Sequence, residues 1–214
     1  MKTAEEIIIE LFDRFPELEI CRADINAAFK LLCDCAESGA LIMACGNGGS
    51  AADCEHIVGE LMKGFKLTRP LTRYEKECFS DVEGGEAMAQ KLQRGIKAVS
   101  LVSQAGLISA FANDVDASLV FAQQVFAYAS NEKDVLIALS TSGNSENVLC
   151  AVKTAAAAGI KSVAVTGQTG GKLREYATVT IKLPAIEPYE VQEYTLPVYH
   201  ALCAALEAQI FSGE

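Results

Sequence analysis

An α/β fold, with a parallel sheet covered by helices on both faces, is predicted for this chain by three observations. Short apolar runs recur at 41–45, 97–102, 134–140, 161–167 and 177–183, most of them continuous rather than alternating, as in strands buried on both sides. Stretches with apolar residues at helical spacing separate them. Two of the runs, LIMAC and DVLIALS, lead into small polar turns, GNGGS (46–50) and STSGNS (140–145), of the kind that joins a strand to a helix.

Taken in order, residues 3–15 and 23–38 have helical periodicity, and Thr3 followed three positions later by Glu6 predicts a capping box for the first helix. LIMAC, closed by Gly46, reads as a buried strand, and a helix over about 50–65 follows it. KAVSLV (97–102) precedes helical stretches near 105–112 and over 114–129. DVLIALS leads to STSGNS and the helix SENVLCAVKTAAAAG, KSVAVTG ends in GQTGGK, and ATVTIKL precedes a closing helix over 191–211. The helices within residues 1–40 stand outside this rhythm and are expected to pack against another subunit. Residues 66–96 also interrupt it, being polar, charged and marked by Gly84 and Gly85. They are either a solvated surface insertion or a lid or substrate-specificity segment beside the preceding helix. One domain over 1–214 accommodates all of this, since a chain of 22.8 kDa with 50% hydrophobic residues can bury a full core.

A formal charge of −10 argues against nucleic acid and anionic membrane surfaces as partners. No continuous apolar run approaches the roughly 18 residues of a membrane span. Eight cysteines without a CxxC pair, mostly inside apolar patterns, read as reduced core thiols of a cytoplasmic protein. An anionic ligand must therefore be caught by backbone dipoles or a few cations.

The two turns supply such dipoles. In an open parallel sheet the ligand crevice lies beyond the carboxyl ends of the strands, where both turns must sit. Glycines such as Gly48 let an anion approach the backbone, and a helix N-terminus offers free N–H groups. Ser140, Thr141, Ser142 and Ser145 add neutral hydroxyl donors. The same residues are also ordinary turn and cap formers. GNGGS is neither GxGxxG nor a P-loop. With both turns at strand ends, a phosphorylated ligand is the reading adopted.

The chain has two histidines, His56 and His200. His56 and Glu60 are four apart and share a helix face. Such a pair is either a surface ion pair or a site. His56, Glu60, Gln192 and His200 can complete a four-coordinate site for Zn²⁺ or a similar ion. Equally, Glu60 can be a general base and His200 a general acid at carbons next to a carbonyl. Gln192 and His200 are eight residues apart, about 12 Å along a helix at ~1.5 Å per residue. Both reach one ion if Gln192 precedes the helix, if Pro197 kinks it strongly, or if the two come from different subunits.

These residues resemble the sugar-isomerase (SIS) family: GNGGS, Glu60 ten residues beyond it, STSGNS, TGQTGGK, then Gln192 with His200. Within that family the likeness is to the phosphoheptose isomerases, and it covers nearly the whole chain apart from 66–96. The resemblance implies a flavodoxin-like three-layer sandwich, the SIS fold, with extra N-terminal helices. It implies aldose–ketose isomerisation of a phosphorylated sugar such as sedoheptulose 7-phosphate, with Glu60 as base and His200 as acid. It implies zinc held by His56, Glu60, Gln192 and His200, and phosphate held by Ser50, Ser140, Ser142 and Ser145. Asn47 and Asp114 fall on its active-site positions, and a homotetramer with active sites between subunits is implied. The chain departs from the pattern where MKGFK (62–66) replaces an arginine-bearing segment resembling TGRYR, which puts Gly64 at the arginine position, flanked by Lys63 and Lys66. Tyr189 replaces an aspartate three residues before Gln192, and 66–96 is longer than the family's loop.

The alternative is a non-catalytic SIS module that senses a sugar phosphate or serves as an adaptor for a replication initiator. Adaptors of that group lack the matching Glu and His, whereas this chain has both.

Overall fold

The computed structural model describes residues 2–212. Five strands form one all-parallel sheet: β1 (Ile42–Gly46), β2 (Ala98–Ser100), β3 (Val135–Leu139), β4 (Lys161–Thr166) and β5 (Val179–Lys182). Their spatial order is β2-β1-β3-β4-β5. The order reverses between β1 and β3, so the sheet has its topological switch point there, as in flavodoxin-like folds. The register pairs Gly46 with Leu139, which brings the turns after the two strands side by side.

Side-chain alternation along the strands feeds two cores. Ile42 and Ala44 face one side, with helices α1 (Ala4–Arg14), α2 (Arg22–Glu37), α3 (Gly49–Met62) and α9 (Pro188–Phe211). Met43, Cys45, Leu136 and Ala138 face the other, with α7 (Val120–Tyr128) and α8 (Glu146–Ala157). Leu136 is fully buried. Leu136→Ala should therefore cost about 2–5 kcal/mol, read as a lower midpoint in chemical denaturation. All eight cysteines are free, and burial pushes the Cys45 and Cys203 thiols up to about 12, so both stay protonated and inert.

The capping box at Thr3 and Glu6 is present. Three expectations change. The N-terminal helices do not wait for another subunit: Ile7, Leu11, Ile25 and Leu32 are buried in this chain's own core, against α9 and the sheet. The two helical stretches after β2 form one run, Ala105–Tyr128, in which α6 (Ala105–Phe111) passes through a π turn (Ala112–Asp116) and a 3-10 turn (Ala117–Leu119) into α7. By length and composition this run could cross a membrane, but it is not continuous α-helix and it carries Asp114 and Asp116 at its centre. Val115 and Phe126 on it are exposed. The closing helix starts at Pro188, where proline's fixed φ suits the first turn, and Gln192 is inside it.

Residues 66–96 contain two short helices, α4 (Arg73–Glu77) and α5 (Gly85–Ala89). Most of the segment is exposed, but its root is knitted to the domain. Pro70 and Gln93 form an antiparallel bridge, Arg94 N–H donates to the Arg69 carbonyl, and Ile96 N–H donates to the Leu61 carbonyl.

Candidate active site

The two turns at the switch point form one continuous rim. Gly48 has φ +56°, a left-handed conformation that favours glycine, and it starts α3 without any side-chain cap. Ser145 starts α8, also without capping its N–H groups. Two helix N-termini thus face the crevice with donors to spare. Asn47 and Asn147 exchange hydrogen bonds of 2.8 and 2.9 Å, tying the two rims together. Ser140 and Ser50 are buried, and the Ser140 and Ser145 hydroxyls are 3.1 Å apart. The Ser142 hydroxyl accepts from Asn144 N–H, and the Thr141 carbonyl accepts from Gly167 N–H. A side chain on Gly143, which has φ +65°, would lie 2.3 Å from the Gly170 carbonyl oxygen. STSGNS and TGQTGGK interlock through close backbone packing and through Lys172 N–H, which donates to Asn144 Oδ1 at 3.1 Å.

A second cluster lies further along α3. His56 Nε2 is 3.2 Å from Glu60 Oε1, and Lys63 Nζ is 3.1 Å from Glu60 Oε2. The His56 and His200 rings meet edge to face, 4.9 Å apart. His56 Nδ1 lies 2.9 Å from the Tyr199 hydroxyl, which donates to Asp53 at 3.3 Å. Phe65 packs its ring 5.5 Å from His200. Burial, then the neighbouring His56, hold His200 below the ordinary histidine value, so it is neutral at pH 7. Burial pushes the Tyr199 hydroxyl up, so it stays a donor.

His56, Glu60 and His200 therefore come together, whereas Gln192 does not join them. It sits on the first turns of α9 against the GNGGS turn; a side chain on Gly49 would fall 2.5 Å from Gln192 Nε2. Among the described residues, no three His, Cys, Asp or Glu side chains stand placed to hold one metal ion. The four-ligand set is thus split between the two ends of the crevice. The chemistry of His56, Glu60 and His200 still suits Zn²⁺. His200 Nε2 is buried without a hydrogen-bond partner, and His56 Nε2 and Glu60 Oε1 stand 3.2 Å apart beside it, so nitrogen and oxygen donors of the kind Zn²⁺ takes are close together. Asp114 joins neither cluster; it lies exposed on the π turn and accepts from Asn113.

Asp53, Asn147 and Tyr199 were not singled out from the sequence, and Lys63 was noted only as a neighbour of the family's arginine position. Asp53 had a signal, lying three residues before His56 on the same helix face; Tyr199 and Asn147 reach the site through tertiary packing.

The SIS domain family model matches residues 8–93 and 85–167. A phosphoheptose isomerase of Akkermansia muciniphila is 32% identical over 206 residues, which span 96% of each chain. The chain belongs to the phosphoheptose isomerase family. A solved phosphoheptose isomerase from Neisseria gonorrhoeae matches with a TM-score of 0.72 and 28% identity, over 94% of this chain and 92% of that one. One from Francisella tularensis gives 0.71 and 28%, over 96% and 98%. As a phosphoheptose isomerase this chain has an altered end to α3. A side chain on Gly64 would fall 2.4 Å from the Leu67 carbonyl oxygen, so an arginine does not fit this backbone. Lys63, one residue earlier, reaches Glu60.

Proposed function

We propose that this chain interconverts sedoheptulose 7-phosphate and an aldoheptose 7-phosphate. The observation that carries the reading is the placement of Glu60, between His56 and Lys63 and beside His200, on the helix whose N-terminus carries the GNGGS turn. The phosphate binds at the uncapped ends of α3 and α8, with the hydroxyls of Ser50, Ser140, Ser142 and Ser145. Ser50 and Glu60 are about 15 Å apart along α3 at ~1.5 Å per residue, which favours a long open-chain sugar over a triose. Glu60 takes the C1 proton of the open-chain ketose, the enediol forms, and the proton returns at C2 to give the aldose. Neutral His200 moves the hydroxyl proton between the oxygens, and Lys63 supplies positive charge where the enediol oxygens gain electron density. Gln192, over Gly49, orients the sugar between the two ends. Zinc bound to His56, Glu60 and His200 would polarise the sugar's oxygens as a Lewis acid. Zinc is expected in the protein as purified, and chelation is expected to lower activity; full activity of a metal-free preparation would remove the metal from the reading. Conversion of sedoheptulose 7-phosphate is tested directly with purified protein, and inactivity across ketose phosphates with zinc supplied would leave the sensing-module alternative.

We further propose a homotetramer with sites between subunits, in a reducing, cytoplasmic compartment. Exposed Val115 and Phe126 on the Ala105–Tyr128 run support the assembly, and the run would carry Asp114 to a neighbouring site. Phe126→Asp should shift the sedimentation coefficient toward smaller species and lower activity in parallel. Unchanged sedimentation would exclude this face.

A further inference from the structure

Arg69 is the anomaly of the polar segment. It follows KLT in a stretch that is mostly exposed, yet its side chain is fully buried, as is that of its partner Glu207 on α9. Arg69 Nε donates to Glu207 Oε1 at 2.7 Å, Nη1 donates to the Leu61 carbonyl at 2.7 Å, and Nη2 donates to the Glu60 carbonyl at 3.2 Å. Its guanidinium also lies over the Phe211 ring, 4.7 Å from the centroid. Glu207 in turn accepts the backbone N–H groups of Phe65, Lys66 and Leu67 at 2.8, 2.7 and 3.1 Å.

The last turn of α3 has no basic residue of its own, and the chain leaves it in extended conformation at Lys63. Its carbonyls carry the negative end of the helix dipole and need donors. Arg69 supplies both the donors and the charge, at the residue whose carboxylate is the base. Glu207 lies seven residues after His200 on α9, and it holds the N–H of Phe65, whose ring packs on His200. The two proton-transfer groups thus sit on different helices, α3 and α9, and one buried ion pair ties the end of the first to the second. Such pairs are weak stabilisers, because desolvation offsets their attraction. A fork that satisfies two helix carbonyls and a carboxylate at once is a geometric device, and lysine cannot reproduce it.

We propose that Arg69 and Glu207 are positioning residues for the proton transfer, fixing Glu60 relative to His200 without touching the substrate. The inference rests on the isomerase reading above. Arg69→Lys keeps the buried charge neutralised and loses the fork. The test compares wild type, Arg69→Lys and Glu207→Gln in steady-state kinetics with sedoheptulose 7-phosphate, after circular dichroism and melting show each fold. A folded Arg69→Lys should lose about 10–10²-fold in kcat, as for a misplacement near 1 Å, with KM within about threefold. Glu207→Gln should show the same split, and it decides the matter where Arg69→Lys does not fold. Wild-type kcat in either folded variant, a loss confined to KM, or failure of both to fold would overturn the proposal and leave the pair a structural element. An inert wild type would sink the isomerase reading, and the inference with it.

Discussion

Glu60→Gln is expected to lower kcat by about 10²–10⁴-fold, the range of a lost general base, while the fold and the phosphate cradle persist. Glutamine keeps the shape and the hydrogen-bonding reach, so melting should change little. What disappears is the carboxylate proposed to accept the carbon-bound proton, which is also the partner of His56 and Lys63. KM should move far less than kcat, because the proposed phosphate cradle begins ten residues earlier on the same helix, at Ser50. Kinetics and a melting curve on the same preparation check this. A folded Glu60→Gln with wild-type kcat would remove Glu60 from the chemistry.

Gly143→Val is expected to have the next largest effect, and to act at the opposite end of the crevice. A β-branched residue at φ +65° is strained by about 1–3 kcal/mol, and its Cβ would press on the Gly170 backbone at 2.3 Å. Backbone cannot yield as a flexible side-chain tip can. STSGNS should therefore be displaced from TGQTGGK, moving Ser142 and Ser145. The expected result is a fall in stability and a KM raised more than about tenfold, equivalent to ~1.4 kcal/mol of binding. Denaturation and a saturation curve separate the two. An unchanged KM would show that this turn does not hold the phosphate.

The sheet was legible because strands buried on both faces read as continuous apolar runs, and the turns were legible because glycine and hydroxyl residues punctuate them. Where the N-terminal helices pack was not, since an apolar stripe says that a helix is covered but not by what; here α9 covers it. The closing helix begins at Pro188 rather than Val191, because proline is favoured in a first turn and apolar periodicity does not report it. Gln192 is inside the helix with either start, and its amide reaches Gly49. In the site, His56 and Glu60 were legible from their spacing alone. Tyr199 was not, because a tyrosine in an apolar helix looks like core until its hydroxyl is seen beside His56 and Asp53. Arg69 was hidden for the opposite reason: charge in a polar stretch implies solvent, and only tertiary structure reveals a buried partner 138 residues away.

The central claim, that Glu60 moves a proton between neighbouring carbons of a phosphorylated heptose, is most directly tested by NMR in D₂O. Purified protein, supplied with zinc, is incubated with sedoheptulose 7-phosphate beside the Glu60→Gln variant. The account predicts that wild type converts ketose to aldose with solvent deuterium entering at C1 or C2, and that the variant does neither. Neither aldose nor exchange with the wild type, or equal exchange with both proteins, would contradict it.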